Sequence, residues 1–384
     1  MKKIAIIVGT RPECIKMAPI YFALKQSLKL KPLLVSTGQH RQMLDQTLSV
    51  FGITPDFDLN LMQPGQTLPD LTARVLSAMT QWLSIEKPSA VLVQGDTTTV
   101  LASALASFYQ QIPIGHVEAG LRTGNMLSPW PEEMNRRLTS PLAQWNFCPT
   151  SVSQSNLLRE GIEKSRIYVT GNSVIDALLH VRMAQKQQGV SASDVISNAG
   201  IPHEFSNRYL ASNQYPWILV TGHRRESFGG GFERICQAIN QLTEVHPDIG
   251  ILYPVHLNPQ VQEIVRKKLG RNSRIALVQP VAYEEFVWLM DKCTFLLSDS
   301  GGVQEEAPSL GKPVLVMRET TERPEGVEAG TCRLVGTDID KIIKESLLLL
   351  NDSAEYHRRS QLKNPYGDGS AARRIVEILE KDIS

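Results

Sequence analysis

Residues 298–323 read Ser-Asp-Ser-Gly-Gly-Val-Gln-Glu-Glu-Ala-Pro-Ser-Leu-Gly-Lys-Pro-Val-Leu-Val-Met-Arg-Glu-Thr-Thr-Glu-Arg, and the alternation inside this stretch decides the class of fold. One apolar run, residues 293–297, leads into it and a second, residues 313–317, lies within it. The segment therefore spells strand, turn, short helix, strand, which is half of a doubly wound α/β unit. Ser300-Gly301-Gly302 stands where the first strand gives way to the helix, and two glycines there let bare backbone N–H groups approach an anion at the positive helix end. Glu306 follows one turn beyond Gly302 on the same face, where its carboxylate can accept hydrogen bonds from a sugar diol whose phosphate sits at the helix start. The same residues also fit an ordinary helix cap with a solvated Glu-Glu pair, so the rest of the chain has to choose.

Working outward, the same rhythm holds at residues 217–221, 249–254 and 275–278, which with 294–298 and 313–317 make one parallel sheet. A polar interval, residues 185–213, separates it from an earlier series at 4–8, 32–37, 90–93, 112–117, 145–148 and 167–170. That is a second sheet, and a chain of 384 residues is long for one domain when about 150 is the usual size, so two are expected. Asn364-Pro365-Tyr366-Gly367-Asp368-Gly369 breaks structure sharply before a last helix over residues 371–381.

Forty Lys and Arg nearly cancel 39 Asp and Glu, and no basic block runs through the chain, so neither nucleic acid nor a membrane surface is the expected partner. A small molecule is. Five scattered cysteines (Cys14, Cys148, Cys236, Cys293, Cys332) lack the spacing of a zinc site or a disulfide framework and read as reduced core thiols, with no metal expected. The opening Met-Lys-Lys-Ile-Ala-Ile-Ile-Val-Gly is too short for a signal peptide and meets Arg11-Pro12-Glu13 at once, the expectation being a first strand of a cytoplasmic protein.

In open α/β sheets ligands gather at the carboxyl ends of the strands. After the first strand, Gly9-Thr10-Arg11-Pro12-Glu13 delivers a fixed cation, with Lys16 following on the same helix, a pair suited to a diphosphate; Arg11 also fits a simple helix cap. Gln94-Gly95-Asp96-Thr97-Thr98-Thr99 and His116-Val117-Glu118-Ala119-Gly120-Leu121-Arg122-Thr123 each end a strand with a carboxylate. Glu132 and Glu133 open a helix, where acids are also good dipole partners, and Glu133 is read in that role. Gly222-His223-Arg224-Arg225-Glu226 puts an imidazole at a strand end of the other sheet, while His116 reads as support for its loop. Strand-end groups able to carry protons, beside arginines and a phosphate-type helix start, compose a reaction site.

Taken together, Gly9-Thr-Arg-Pro-Glu13, Gln39-His-Arg-Gln-Met-Leu-Asp-Gln46, Gly95-Asp-Thr-Thr-Thr99, His116-Val-Glu-Ala-Gly-Leu-Arg-Thr123, Pro131-Glu-Glu-Met-Asn-Arg136, Gly222-His-Arg-Arg-Glu226, Asp299-Ser-Gly-Gly302, Gln304-Glu-Glu-Ala-Pro308 and Thr321-Glu-Arg-Pro-Glu325 give the chain an end-to-end resemblance to the bacterial non-hydrolysing UDP-N-acetylglucosamine 2-epimerases. The resemblance implies a GT-B-like fold, two Rossmann-like domains facing across a cleft. Residues 1–172 would form the first, with 366–384 packing back on it, and 173–365 the second, UDP-binding one. It implies Asp96, Glu118, Glu132 and His223 in catalysis, with Lys16, Arg136 and Arg323 in support. Arg11 and Ser300-Gly301-Gly302 would hold the diphosphate, Glu306 the ribose, and Phe286 would lie near the uracil. It further implies UDP-N-acetylglucosamine, UDP-N-acetylmannosamine and UDP as ligands, no cofactor, a homodimer, and a second, regulatory substrate site at Gln39, His40, Gln42 and Gln66. At Gly65 the chain departs from members that carry arginine there, which bears on that regulatory site.

The chemistry implied is elimination of UDP to 2-acetamidoglucal followed by re-addition, a scheme that needs cations on the leaving diphosphate and a base and an acid on opposite ring faces. Which carboxylate serves which face stays open. A hydrolysing epimerase, a glycosyltransferase using a UDP-sugar and a nucleotide-sugar sensor without turnover remain the competing readings.

Overall fold

A computed structural model of the chain describes residues 1–38, 41–63, 65–211, 214–222 and 230–383, the side chains of Arg41, Gln42 and Met43 excepted. It divides into two compact units, Met1–His180 with the segment from Tyr366 onward, and Val181–Pro365.

Unit 1 is built on β1 (Lys2–Val8), β2 (Leu30–Ser36), β3 (Phe57–Asp58), β4 (Ala90–Gln94), β5 (Ile114–Val117), β6 (Trp145–Cys148) and β7 (Ile167–Val169), in the order β3-β2-β1-β4-β5-β6-β7 with all pairs parallel. Unit 2 is built on β8 (Trp217–Thr221), β9 (Gly250–Pro254), β10 (Ile275–Val278), β11 (Phe295–Ser298), β12 (Val314–Val316) and β13 (Cys332–Leu334), in the order β10-β9-β8-β11-β12-β13, again all parallel. Both sheets are therefore doubly wound. In each, the chain works outward one way from its first strand and then crosses back to the other side of it, leaving a switch point between β1 and β4 and another between β8 and β11.

Residues 4–8 of β1 and all of β4 are buried, as expected of a parallel strand covered by helices on both faces. The core of unit 2 packs Ile218, Val220, Leu297 and Leu315 from the sheet against Phe232, Ile235 and Ile239 of the helix Gly231–Val245. The eleven strand runs expected from the sequence are all present; β3 and β13 are additions to them. Two and three residues long, each lies at one edge of its sheet, and each mixes a charged residue into its run, Asp58 in β3 and Arg333 in β13, so neither shows an apolar run of its own.

The last helix, Ala371–Ile383, returns to unit 1. Asp176 accepts hydrogen bonds from the amides of Ala371 (3.2 Å) and Ala372 (2.9 Å) at its start, and Trp145 Nε1 donates to Asp382 Oδ2 (2.7 Å) near its end. Its buried face carries Ile375, Val376 and Leu379. All five cysteines are buried free thiols, pushed up to about 12 by burial. Among the described residues, no helix is long and apolar enough to cross a membrane.

Candidate active site

The switch point of unit 1 lies where the loops after β1, β4 and β5 leave the sheet. Glu13, 1% exposed in the first turn of the helix Arg11–Gln26, ties two of them together. Its Oε2 accepts from the amides of Gly9 (2.6 Å) and Thr10 (2.9 Å), and its Oε1 from Thr97 Oγ1 (2.5 Å) in the loop after β4. Burial pushes this carboxyl up, and the donors from Thr97, Gly9 and Thr10 oppose that rise.

Asp96 projects from the loop after β4. Its carboxylate pairs with Arg136, and its backbone carbonyl accepts from Asn135 Nδ2 (2.8 Å), so the helix Glu132–Leu142 holds both ends of the residue. The Arg136 guanidinium also reaches Glu133 (3.2 Å), which is fully buried and accepts the amides of Thr123 (3.1 Å) and Gly124 (3.3 Å). Glu133 is thus a structural carboxylate under the loop after β5, a larger part than that of a dipole partner alone. Glu132 is half-buried and makes no side-chain hydrogen bond or ion pair with the described residues.

Glu118 sits just past β5 with φ +64°, a left-handed conformation uncommon for a residue with a Cβ. Its Oε2 takes two donors, Lys16 Nζ at 2.5 Å and the side-chain Nε2 of Gln94 from the end of β4. Lys16, expected beside Arg11 at a diphosphate, is thereby placed on Glu118; Arg11 itself is half-buried at the first position of its helix. His116 lies within β5, and its Nε2–H donates to the carbonyl of Gly95 (2.7 Å). Burial drives this imidazole down to about 4, with Arg122 and Arg136 adding to the drop, so it is neutral near neutral pH. The reading of His116 as loop support agrees with this geometry.

At the switch point of unit 2, Ser298 Oγ at the end of β11 bonds Thr221 Oγ1 at the end of β8 (2.6 Å) and accepts from the amide of Ser300 (3.0 Å). Ser300 is the residue from which the helix Gly301–Glu306 starts, without a side-chain capping bond of its own. A Cβ on Gly301 would come within 2.4 Å of Arg323 Nη1, so glycine is what lets that guanidinium lie against the helix start. Arg323 is held there by Glu305 (2.6 Å) and Glu322 (2.6 Å), and Glu322 also takes Arg318 (2.6 Å). Glu306 receives the hydroxyl of Tyr283 on one oxygen (2.5 Å), while the other lies 3.6 Å from where a Cβ on Gly302 would be. Phe286 is half-buried on the helix Tyr283–Lys292, one turn after Tyr283.

His223, Gln39 and His40 lie outside the described residues, as does the side chain of Gln42. Gln66 is engaged locally, accepting from the amide of Gln63 (3.1 Å) and donating to the sulfur of Met62 (2.9 Å). Sequence reasoning passes over Gln94, Tyr283, Glu305 and Glu322 as partners of the singled-out residues. A polar side chain closing an apolar strand run, as at Gln94, is the signal that could have found one of them.

The family model described as UDP-N-acetylglucosamine 2-epimerase matches residues 23–380. A curated UDP-N-acetylglucosamine 2-epimerase of Escherichia coli (strain K12) is 54% identical over 381 residues, covering 99% of both chains. The chain belongs to the UDP-N-acetylglucosamine 2-epimerase family. A solved UDP-GlcNAc 2-epimerase of Neisseria meningitidis, bound to UDP-GlcNAc, superposes with a TM-score of 0.88 at 45% identity, covering 99% of this chain and all of that one. The Methanocaldococcus jannaschii UDP-GlcNAc 2-epimerase, in complex with UDP-GlcNAc and UDP, gives 0.81 at 35% identity over 99% of each chain. The 2-epimerase likeness thus runs through both units and the returning helix.

Proposed function

We propose that the chain interconverts UDP-N-acetylglucosamine and UDP-N-acetylmannosamine without releasing free sugar. Beside the family membership, the observation that carries this reading is the pair of carboxylates, Asp96 and Glu118, each anchored by a cation just past the ends of the neighbouring strands β4 and β5. The proton on sugar carbon-2 has no adjacent carbonyl, so direct removal to a carbanion is too slow. In the proposed route the bond from carbon-1 to the diphosphate oxygen breaks first, the electron pair leaving with UDP. The oxocarbenium-like centre acidifies carbon-2, a carboxylate takes its proton, and 2-acetamidoglucal remains. Re-addition re-forms the carbon-1 to oxygen bond while a proton is delivered to the opposite face of carbon-2, giving the manno isomer.

Each unit has its part. Unit 2 would hold UDP, with the amides of Ser300-Gly301-Gly302 and Arg323 on the diphosphate, Glu306 on the ribose and Phe286 near the base. Unit 1 would act on the sugar through Asp96, Glu118 and Glu132, with Arg136 orienting Asp96 and Lys16 orienting Glu118, while Arg11 of unit 1 and His223 of unit 2 would assist the leaving group. A homodimer and a regulatory nucleotide-sugar site at Gln39, His40, Gln42 and Gln66 belong to the same reading.

Incubation with UDP-N-acetylglucosamine in deuterated water tests it. Deuterium at carbon-2 and the appearance of UDP-N-acetylmannosamine are expected; free N-acetylmannosamine would identify a hydrolysing enzyme, and no exchange at carbon-2 would sink the scheme. Asp96→Asn and Glu118→Gln should each lower turnover about 10²–10⁴-fold with UDP still binding. Near-normal rates in either variant would remove that residue from the proton relay.

A further inference from the structure

Glu118 Oε2 carries both of the donors aimed at this carboxylate, while Oε1 has no partner among the described residues. The two donors differ in kind. An ammonium on a flexible stem is a rotatable point charge that would follow either oxygen of a turning carboxylate, so Lys16 neutralises Glu118 without choosing between them. Gln94 is 3% exposed, sits in a buried strand, and presents a planar amide whose N–H points one way. The choice of oxygen is therefore made by the amide. The backbone adds to the case: the residue after Gln94 is Gly95 with φ +82°, Glu118 is itself left-handed, and His116 returns a hydrogen bond from β5 to the Gly95 carbonyl. The loops bearing Asp96 and Glu118 are laced reciprocally, each strand supplying a side chain that fixes the loop on the other.

We propose that Gln94 is a positioning residue for proton transfer at the sugar: by holding Glu118 Oε2 it commits Oε1 to the substrate. This rests on the reading of Glu118 as a proton-carrying group. No proton moves through Gln94 itself. Its contribution is orientation, and a carboxylate displaced by about 1 Å can cost on the order of 10²-fold in rate.

The experiment compares Gln94→Met, which keeps length and removes the donor, with Glu118→Gln and the double variant, reading kcat and KM for UDP-N-acetylglucosamine and the affinity for UDP; Gln94→Leu replaces Gln94→Met if that variant does not fold. The expected result is a fall in kcat of about 10- to 100-fold, with KM and UDP affinity within about two-fold, and no further loss when Glu118→Gln is already present. A kcat within two-fold of the parent, a loss appearing in KM instead, or losses that multiply in the double variant would each overturn the proposal. If Glu118→Gln itself turned over normally, the assignment of Glu118 would fall with it, which is a different failure and separately visible.

Discussion

Burial of a single titratable group, His116, makes the stability of the whole chain depend on pH. In the folded protein its imidazole protonates at about 4, against an ordinary value of 6.5, because burial disfavours the charged form. The unfolded chain therefore binds a proton that the folded chain refuses between those values. Stability from this group is fully present above pH 6.5 and is lost as pH falls toward 4, by about 3 kcal/mol in all. His116→Gln, which can keep a donor for the Gly95 carbonyl, should flatten that dependence. Denaturant unfolding at pH 4.5 and 7.5 checks this: parent and variant losing stability equally on acidification would contradict it. At this scale the sequence speaks unevenly. Asp96 and Glu118 are visible in it because each closes an apolar strand. That Lys16 would meet Glu118 from 102 positions away, or Arg136 meet Asp96 from 40, is not, since such meetings are made by sheet order.

The short helix Gly301–Glu306 carries the sharpest contrast between neighbouring residues. A methyl group on Gly301 would strike the Arg323 guanidinium at 2.4 Å, and that guanidinium is pinned by Glu305 and Glu322, so it cannot simply swing away. On Gly302 the nearest atom would be 3.6 Å off, an ordinary contact. Gly301→Ala should therefore lower the melting temperature and displace Arg323, while Gly302→Ala should leave stability unchanged or raise it by up to about 1 kcal/mol through better helix propensity. Thermal melts of the two variants decide it, and equal losses would refute the packing argument. This element is legible from its glycines and flanking apolar runs. The edge strands β3 and β13 are not, because Phe-Asp and Cys-Arg-Leu each carry a charged residue where the equally short Val314–Val316 is wholly apolar.

The sequence rhythm is sufficient for two parallel α/β sheets, since each strand run is followed by enough chain for a crossover helix. Strand order is a property of the folded molecule, and it is the order that puts β1 beside β4 and β8 beside β11. The helix Ala371–Ile383 buries Ile375, Val376, Leu379 and Ile383, an apolar contribution of about 6–12 kcal/mol to unit 1. A chain ending at Pro365 should lose amide protection through Met1–His180 while Val181–Pro365 keeps its own. Hydrogen exchange on that truncated chain measures it, and undiminished protection of unit 1 would show that the helix is dispensable.

Because the stretch that completes unit 1 comes after all of unit 2, the order of synthesis is inverted with respect to the order of numbering. Val181–Pro365 has left the ribosome whole before residues 371–383 emerge, so the domain begun first is the last able to close. Until then its apolar seam is bare, and a holding chaperone has its natural target there.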